Sequence, residues 1–569
     1  MSAPAGAAPR GSVIGAETGL ELYISRPGGS LLIRDLVSGA PSLAPFYAGH
    51  FRDPESFRRK ARAVRARLAP EMLDRLDDAY VPTSDAAAAR LRDVLAGRGF
   101  AVTTGQQTGL FGGPLYTIWK ILSAVRLADA LEPLLDAPVL PVFWIASDDH
   151  DWAEVNHTAV VDASDDVRRL ALDDPGESPP VPMSDRILPA GTSRVVAELR
   201  QLLADSPFAS KLGRLVAGAY REGETMGGAF GALMRGLLAD FDIALIDSAH
   251  PSLKAASSPI LRHELEHAEE HAALLQEQSD RLVAAGYHAQ VTVSADAANV
   301  FMHEPDGRDR LTREGNGWHL RRSRRSYTTA EVERLLADEP RRFSPNVMLR
   351  PVVESALIPT LAYVAGPGEA SYFAQIGCLF EAHGIEPPVV VPRHGVTIVE
   401  PRIRRLLDRF GFEPADLARP LHEVTTDVIR AELPEAVTGP IETAGRAIER
   451  EYDALASAAE RIDPTLRDWI LGRRNRALID VVKTERKITA HLKKRRADEI
   501  RQIRRVSMNL HPDGAPQERV LNVLPYLARY GPGLLRDAAR AMEAKLGDTA
   551  PDWHDVDGGG ADGAGPDDA

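Results

Sequence analysis

The stretch GFAVTTGQQTGLFGGPLYTIWKILSAVRLADAL, residues 99–131, decides the fold. Phe100 to Thr104 is a short apolar run of the length of a buried strand. A glycine-rich segment follows, with Gly105, Gly109, Gly112 and Gly113, closed by Pro114. Leu115, Ile118, Leu122 and Val125 then recur at the spacing of a helix. Strand, glycine turn and helix make up the repeating unit of a parallel α/β sheet, which takes its ligands outside the carboxyl ends of the strands. The turn lets a ligand approach bare backbone, and the helix start at Leu115 offers N–H groups to an anion. The spacing is neither G-x-G-x-x-G nor the Walker pattern, so no phosphate motif is present. Gln106 and Gln107 can donate and accept hydrogen bonds, which suits a polyhydroxylated or amide-bearing ligand. The competing reading is a tight turn whose glycines serve backbone geometry alone.

Outward from this unit, APVLPVFWIAS (137–147), FDIALIDSA (241–249), TLAYVAG (360–366) and PPVVVPRHGVTIV (387–399) read as further strands, the last with a possible continuation. ASYFAQIGCLFEAHG (370–384), TTAEVERLLADE (328–339) and the charged run 252–285 read as helices between them. The alternation predicts an α/β fold with a mainly parallel sheet.

The last third changes character. Ile441, Ile448, Leu455 and Ile462 are spaced by seven, and Gly445, Tyr452 and Ala459 each follow one of them by four. This is an a/d seam. Pro464 marks a turn, and a second long helix is expected from Leu466 to Val506. That helix carries fourteen Lys or Arg against five Asp or Glu, read first as a solvated face, then as a surface for a second subunit, and last as a nucleic-acid contact. The expected organisation is a loose start (1–20), an α/β core with helical insertions (21–438), an antiparallel helical hairpin (439–507), a segment returning to the core (508–547) and a disordered acidic tail (548–569).

Composition narrows the class. The chain has 569 residues, 44% of them hydrophobic, and a net charge of -13. That suits a large soluble protein and argues against a general nucleic-acid binder. A single cysteine, Cys378, rules out a disulfide within the chain and suits a reducing cytoplasm. No signal peptide and no apolar run of membrane-spanning length is read, so a cytoplasmic protein without membrane contact is expected.

Two further segments carry chemistry. IASDDHDWAEVNHT (145–158) follows a strand and gathers Asp148, Asp149, His150, Asp151, Glu154 and His157. Such a group can act as acid or base, bind an amine or hold a divalent metal; otherwise it is an exposed acidic turn. AYVAGPGEASYFAQI (362–376) repeats the strand, glycine turn and helix with Gly366, Gly368, Glu369, Tyr372 and Gln375. Upstream, Arg350 is a candidate clamp for a carboxylate or phosphate, or else structural. His263, Glu264 and His267 spell H-E-x-x-H, the zinc hydrolase pattern, and His271 extends it. Their neighbours Arg262, Glu266, Glu269 and Glu270 suit a solvated helix, so the histidines are read as exposed and no metal is expected. Cys378 sits among Gly377, Leu379 and Phe380 and is read as packing rather than as a nucleophile.

Four blocks, 104–120, 141–158, 346–376 and HPDGAPQERVLNVLPYLARYG (511–531), together resemble the cysteine-adding enzymes of bacillithiol biosynthesis, the BshC family. The resemblance implies a Rossmann-like core akin to class I aminoacyl-tRNA synthetases, a long antiparallel coiled coil, and homodimers formed through helical parts. It implies a ligase joining L-cysteine to glucosaminyl-malate by an amide bond in the last step of the pathway. It also places Gly105, Gln106, Gln107, Thr108, Gly109, Gly112, Gly113, Tyr116, Ser147, Asn156, His157, Arg350, Gly366, Gly368, Glu369, Tyr372 and Gln375 along the substrate cleft. Asp148, Asp149, His150 and Asp151 are the expected catalytic group. The chain departs from the family pattern at Glu354 and Ser355, where Gln and Asp are expected, and at Asp148, where Glu is expected. A carboxylate is a poor electrophile, so ATP is the expected activator, on chemical grounds and by resemblance. The alternatives are another nucleotide-dependent ligase or transferase acting on an amino sugar, and a non-enzymatic dimeric scaffold.

Overall fold

Six strands build the central sheet: β1 (Tyr80–Pro82), β2 (Phe100–Gln106), β3 (Val139–Ile145), β4 (Ala244–Asp247), β5 (Thr360–Ala365) and β6 (Val389–Pro392). The computed structural model describes residues 12–26, 28–162, 164–173, 176, 179–431, 435–542 and 546. The acidic tail 548–569 and most of the start that was expected to be loose lie outside the described residues. The sheet order is β6-β5-β2-β3-β4-β1. The first five strands of that order run parallel, and β1 closes the edge antiparallel to β4. Every residue of β3 and β5 is buried, as a sheet covered on both faces requires.

The order fixes where a ligand can sit. From β2 the chain passes through helix α1 (Leu115–Leu135) to β3 on one side. After β4 it returns to β5 on the other side of β2. The connections of β2 and β5 therefore diverge, which opens a crevice at the carboxyl ends of these neighbours.

Four further helices are α2 (Pro251–Glu266), α3 (Ala268–Ala284), α4 (Arg350–Leu357) and α5 (Pro367–Ala382). The chain bends between α2 and α3 at His267, where φ is -116° and ψ is 20°. The expectation of an exposed histidine stripe fails here. Glu264 and His271 are buried, because α3 packs on α5 and α2 on the strand Ala297–Glu304. Tertiary packing overrides the charged neighbours, which occupy the opposite faces.

The run 387–399 does not continue as one strand. Arg393, buried and paired with Glu518, turns the chain, and Gly395–Val399 pairs antiparallel with Glu21–Ser25. A five-stranded sheet, built from Ala297–Glu304, Gly307–Glu314, Gly317–Leu320, Arg325–Thr328 and Phe343–Pro345, was not anticipated. Its signals were turn pairs, Asp306-Gly307 and Gly315-Asn316, between alternating segments.

These elements belong to one compact unit, ending at Val399 and resuming at Gln517; residues 400–516 form a second. In that second unit, α6 (Glu435–Ala459) and α7 (Thr465–Arg495) pack on each other. Glu460 meets Arg467 at 2.6 Å, and Asp453, seven residues earlier, pairs with Arg474, seven residues later. This is the register of an antiparallel pair. The seam keeps Tyr452 and Ala459 of the heptad reading and departs from it at Leu455 and Ile462. Ala456, Ala459 and Ile470 are buried together, beside Tyr452, whereas Leu455 is 54% and Ile462 83% exposed. Ile462 lies beyond the end of α6 at Ala459, and Ala456 takes the place beside Ala459 that the reading gave to Leu455. The second helix also ends earlier than expected: Arg496, at φ -106° and ψ 28°, separates α7 from a helix at Ala497–Leu510.

Candidate active site

The carboxyl ends of β2, β3, β5 and β6 open onto one cavity of about 770 Å³. Gly105, Gln106, Gln107 and Tyr116 line it from the first glycine unit, and Asp148, Asp149, His150 and Asp151 from the acidic block. Arg350, Gly366, Gly368, Glu369 and Tyr372 line it from the second glycine unit. Three segments far apart in sequence thus share one space.

The acidic wall is organised by Gln107. Its amide nitrogen donates to Asp149 Oδ2 at 2.5 Å and to Glu154 Oε2 at 2.6 Å. The backbone N–H of His150 donates to Asp149 Oδ1 at 2.6 Å. Burial pushes the Asp149 carboxyl up. Arg308, the Gln107 amide and the His150 N–H more than offset this, and hold it below the usual carboxylate range. Asp149 is therefore ionised at neutral pH. Asp148 differs: its Oδ1 pairs with the buried Lys254 at 2.7 Å. That pairing removes one carboxylate from any metal cage in this block. Burial, then Arg308, draws His150 below the ordinary imidazole value, against Asp149 and Asp151. Arg308 Nη1 lies 3.3 Å from His150 Nδ1. A guanidinium can only donate, so Nδ1 accepts and a neutral ring carries its proton on Nε2.

The opposite wall is cationic. Lys120, fully buried in α1, donates to Gly105 O at 2.5 Å and pairs with Glu369 Oε2 at 2.5 Å. Burial lowers its pKa, and Glu369 counters that. Arg350 is held by Glu354 at 2.7 Å and donates to the hydroxyls of Tyr363 and Tyr372 at 3.1 and 3.0 Å. Glu354, one of the family departures, is buried behind Arg350 and does not line the cavity. Arg393, bound by both oxygens of Glu518, and Arg519 complete this side.

Eight of the expected cleft residues lie outside the cavity lining. Thr108, Gly109, Gly112 and Gly113 form the second half of the glycine loop, which is bound into the core. Asn522 Nδ2 donates to Phe111 O, Gly113 O and Thr158 Oγ1 at 3.0, 2.8 and 3.1 Å. Tyr220 OH accepts from the Phe111 N–H at 2.9 Å. The left-handed φ values of Gly112 (92°) and Gly113 (70°) make the glycines there a backbone requirement. The helix start is also spent: Leu115 N–H donates to Leu521 O at 2.8 Å. Ser147 turns into the core and donates to Asp247. Asn156 and His157 contact each other at the start of the hairpin strand His157–Val161. Gln375 is buried and consumed by backbone: its Oε1 accepts from the N–H groups of Gln290 and Val291 at 2.7 and 2.8 Å. It fixes the segment whose Val291 lines the cavity.

Sequence reading missed Lys120, Lys254, Arg308, Arg393 and Arg519. Lys120 left a signal, since it stands between two apolar pairs, Ile118-Trp119 and Ile121-Leu122. Arg308 had none until the antiparallel sheet was known. Cys378 is half-buried and hydrogen-bonded to Gln375 O at 3.5 Å, and burial pushes its thiol up to about 11, which suits packing rather than nucleophilic attack.

Comparison with known proteins agrees with this architecture. A family model described as "Bacillithiol biosynthesis BshC, N-terminal Rossmann-like domain" matches residues 21–394. A second, "Bacillithiol biosynthesis BshC, C-terminal coiled-coil domain", matches residues 396–547. Similar curated proteins carry the name "Putative cysteine ligase BshC". The one from Salinibacter ruber is 33% identical over 527 residues, covering 90% of this chain and 94% of the relative. The one from Solibacter usitatus is 34% identical over 519 residues, covering 89% and 94%.

Proposed function

Because the chain belongs to the BshC family of bacillithiol biosynthesis, we propose that its cavity joins the carboxylate of L-cysteine to the amine of glucosaminyl-malate. The observation that carries this reading is the charge division of one cavity. An ionised Asp149 faces it from one side, and Lys120, Arg350 and Arg393 from the other. An ammonium and a set of carboxylates find complementary walls there.

Asp149, with Gln107 and Glu154 beside it, holds an amine and accepts its proton as the amide forms. Asp148 is excluded from this role by Lys254. His150, with its proton on Nε2, is a donor to substrate rather than the base. Arg350, braced by Glu354 and two tyrosines, offers its remaining N–H donors and its charge to a malate carboxylate or another anion. Amide formation needs an activated carboxylate, and ATP supplies that activation. The residues that suit its phosphates are Arg350, Arg393 and the first turn of α5; the start of α1 does not suit them, because Leu521 already occupies it. Pairing with a second copy through the helical parts, and a cytoplasmic location, belong to the same proposal. Among the described residues no helix is long and apolar enough to cross a membrane.

The test is incubation of the purified protein with cysteine and glucosaminyl-malate, with and without ATP, and detection of the ligated thiol by mass spectrometry. Product only with ATP supports the whole reading. Product without ATP retires the activation step. No product from folded protein retires the ligase.

A further inference from the structure

We propose that Glu264, His271 and His383 form a zinc site, separate from the cavity, that clasps α2, α3 and the end of α5. One ligand atom from each lies within 4.8 Å of the other two, and none of the three lines the cavity. Glu264 comes from the last turn of α2, His271 from the first turn of α3, and His383 directly follows α5.

Three observations distinguish this cluster from a chance grouping. First, the carboxylate is already oriented. Glu264 Oε1 accepts from the backbone N–H and the side-chain amide of Asn299 at 3.0 and 2.8 Å. That leaves Oε2 turned toward the two imidazoles, as an outer partner does for a metal-bound carboxylate. Second, His383 Nε2, in a side chain only 3% exposed, has no hydrogen bond of ordinary length: Glu264 Oε2 faces it at 3.6 Å. A polar atom left so in a dry interior costs free energy, and an ion between it and Oε2 removes that cost. Third, the spacing fits. Ligand atoms of a tetrahedral zinc ion with bonds of about 2.0–2.1 Å stand roughly 3.3 Å apart. The His383 to Glu264 distance is already near this. His271 Nδ1 sits 2.6 Å from Glu264 Oε2 as a hydrogen bond, and must open by roughly 0.7 Å to reach the same spacing.

The ion takes the Nδ1 lone pair, so a neutral His271 moves its ring proton from Nδ1 to Nε2, and an imidazolium releases its Nδ1 proton to solvent. Imidazole and carboxylate donors without thiolate suit zinc in the divalent state, with water as the fourth ligand. His263 supports the site from outside: its Nε2 lies 3.2 Å from Ala382 O, fixing the residue beside His383.

The experiment uses the full chain without a histidine tag. Wild type, His383→Ala, His383→Asn and His267→Ala are exposed to zinc chloride, desalted and assayed for metal by mass spectrometry. His267 belongs to the neighbouring, more accessible group with half-buried His263 and exposed Glu266, so its variant controls for binding at that second cluster. The expected result is about one zinc per chain in wild type and in His267→Ala, and at least a tenfold loss in both His383 variants. Cobalt should give visible ligand-field bands in wild type that His383→Asn lacks. A wild type that retains no zinc overturns the proposal. So does zinc retained by the folded His383 variants, or lost in His267→Ala.

Discussion

Two clusters in this chain have nearly the same ingredients and opposite settings. Asp148, Asp149 and His150 follow β3 and face the cavity; Glu264, His271 and His383 are sealed where three helices meet. In the first, cations from other elements set the state of each group. Arg308 helps keep Asp149 charged and Lys254 pairs with Asp148, so of these two neighbours Asp149 is the one whose charge is not taken by a buried lysine. In the second, Asn299 takes one oxygen of Glu264 and two histidines crowd the other. Glu264 is drawn down to about 2, although burial works against it. A depressed carboxylate pKa is common to both. Access separates a group that can do chemistry from one that can only hold the fold.

The comparison can be broken from either side. Asp149→Ala should cut turnover by about 10²–10³-fold, with a thermal melt close to wild type. A change under twofold would move the base elsewhere. Glu264→Ala should do the reverse, costing on the order of 3 kcal/mol in denaturant unfolding while the folded fraction keeps its turnover.

A smaller effect sharpens the electrostatics. Arg308 is among the groups that lower the Asp149 pKa, so Arg308→Met should raise it. Asp149 then protonates at higher pH, and the acid limb of the kcat/KM profile should move up; a limb that stays or moves down would contradict the assignment. The smallest effect concerns the loop. Asn522→Ala should cost about 1–2 kcal/mol of stability, because three acceptors lose their donor. Gln107→Ala should leave the melt unchanged and reduce turnover.

How much of this was legible depended on the range of the interactions. The strand and helix of residues 99–131 were readable because their signals are local: an apolar run, glycines, then helical spacing. The same holds for the unit around Gly366. The cavity's acidic wall was readable for the same reason, since Asp148 to Asp151 follow a strand directly. What could not be read was which glycines face the cavity. Gly105 lines the cavity and Gly113 does not, and the difference lies in Asn522, some four hundred residues away. The cationic wall was hidden likewise, because Arg308 and Arg393 reach it only through the tertiary fold. The histidine motif misled because charged neighbours describe one face of a helix, and Glu264 lies on the other.

The most direct test sets the two clusters side by side. Asp149→Ala and Glu264→Ala are assayed at a temperature where both are folded, with cysteine, glucosaminyl-malate and ATP, and the ligated thiol is quantified by mass spectrometry. Near-wild-type product is expected from Glu264→Ala and almost none from Asp149→Ala. Equal product from both, or loss confined to Glu264→Ala, would contradict that expectation.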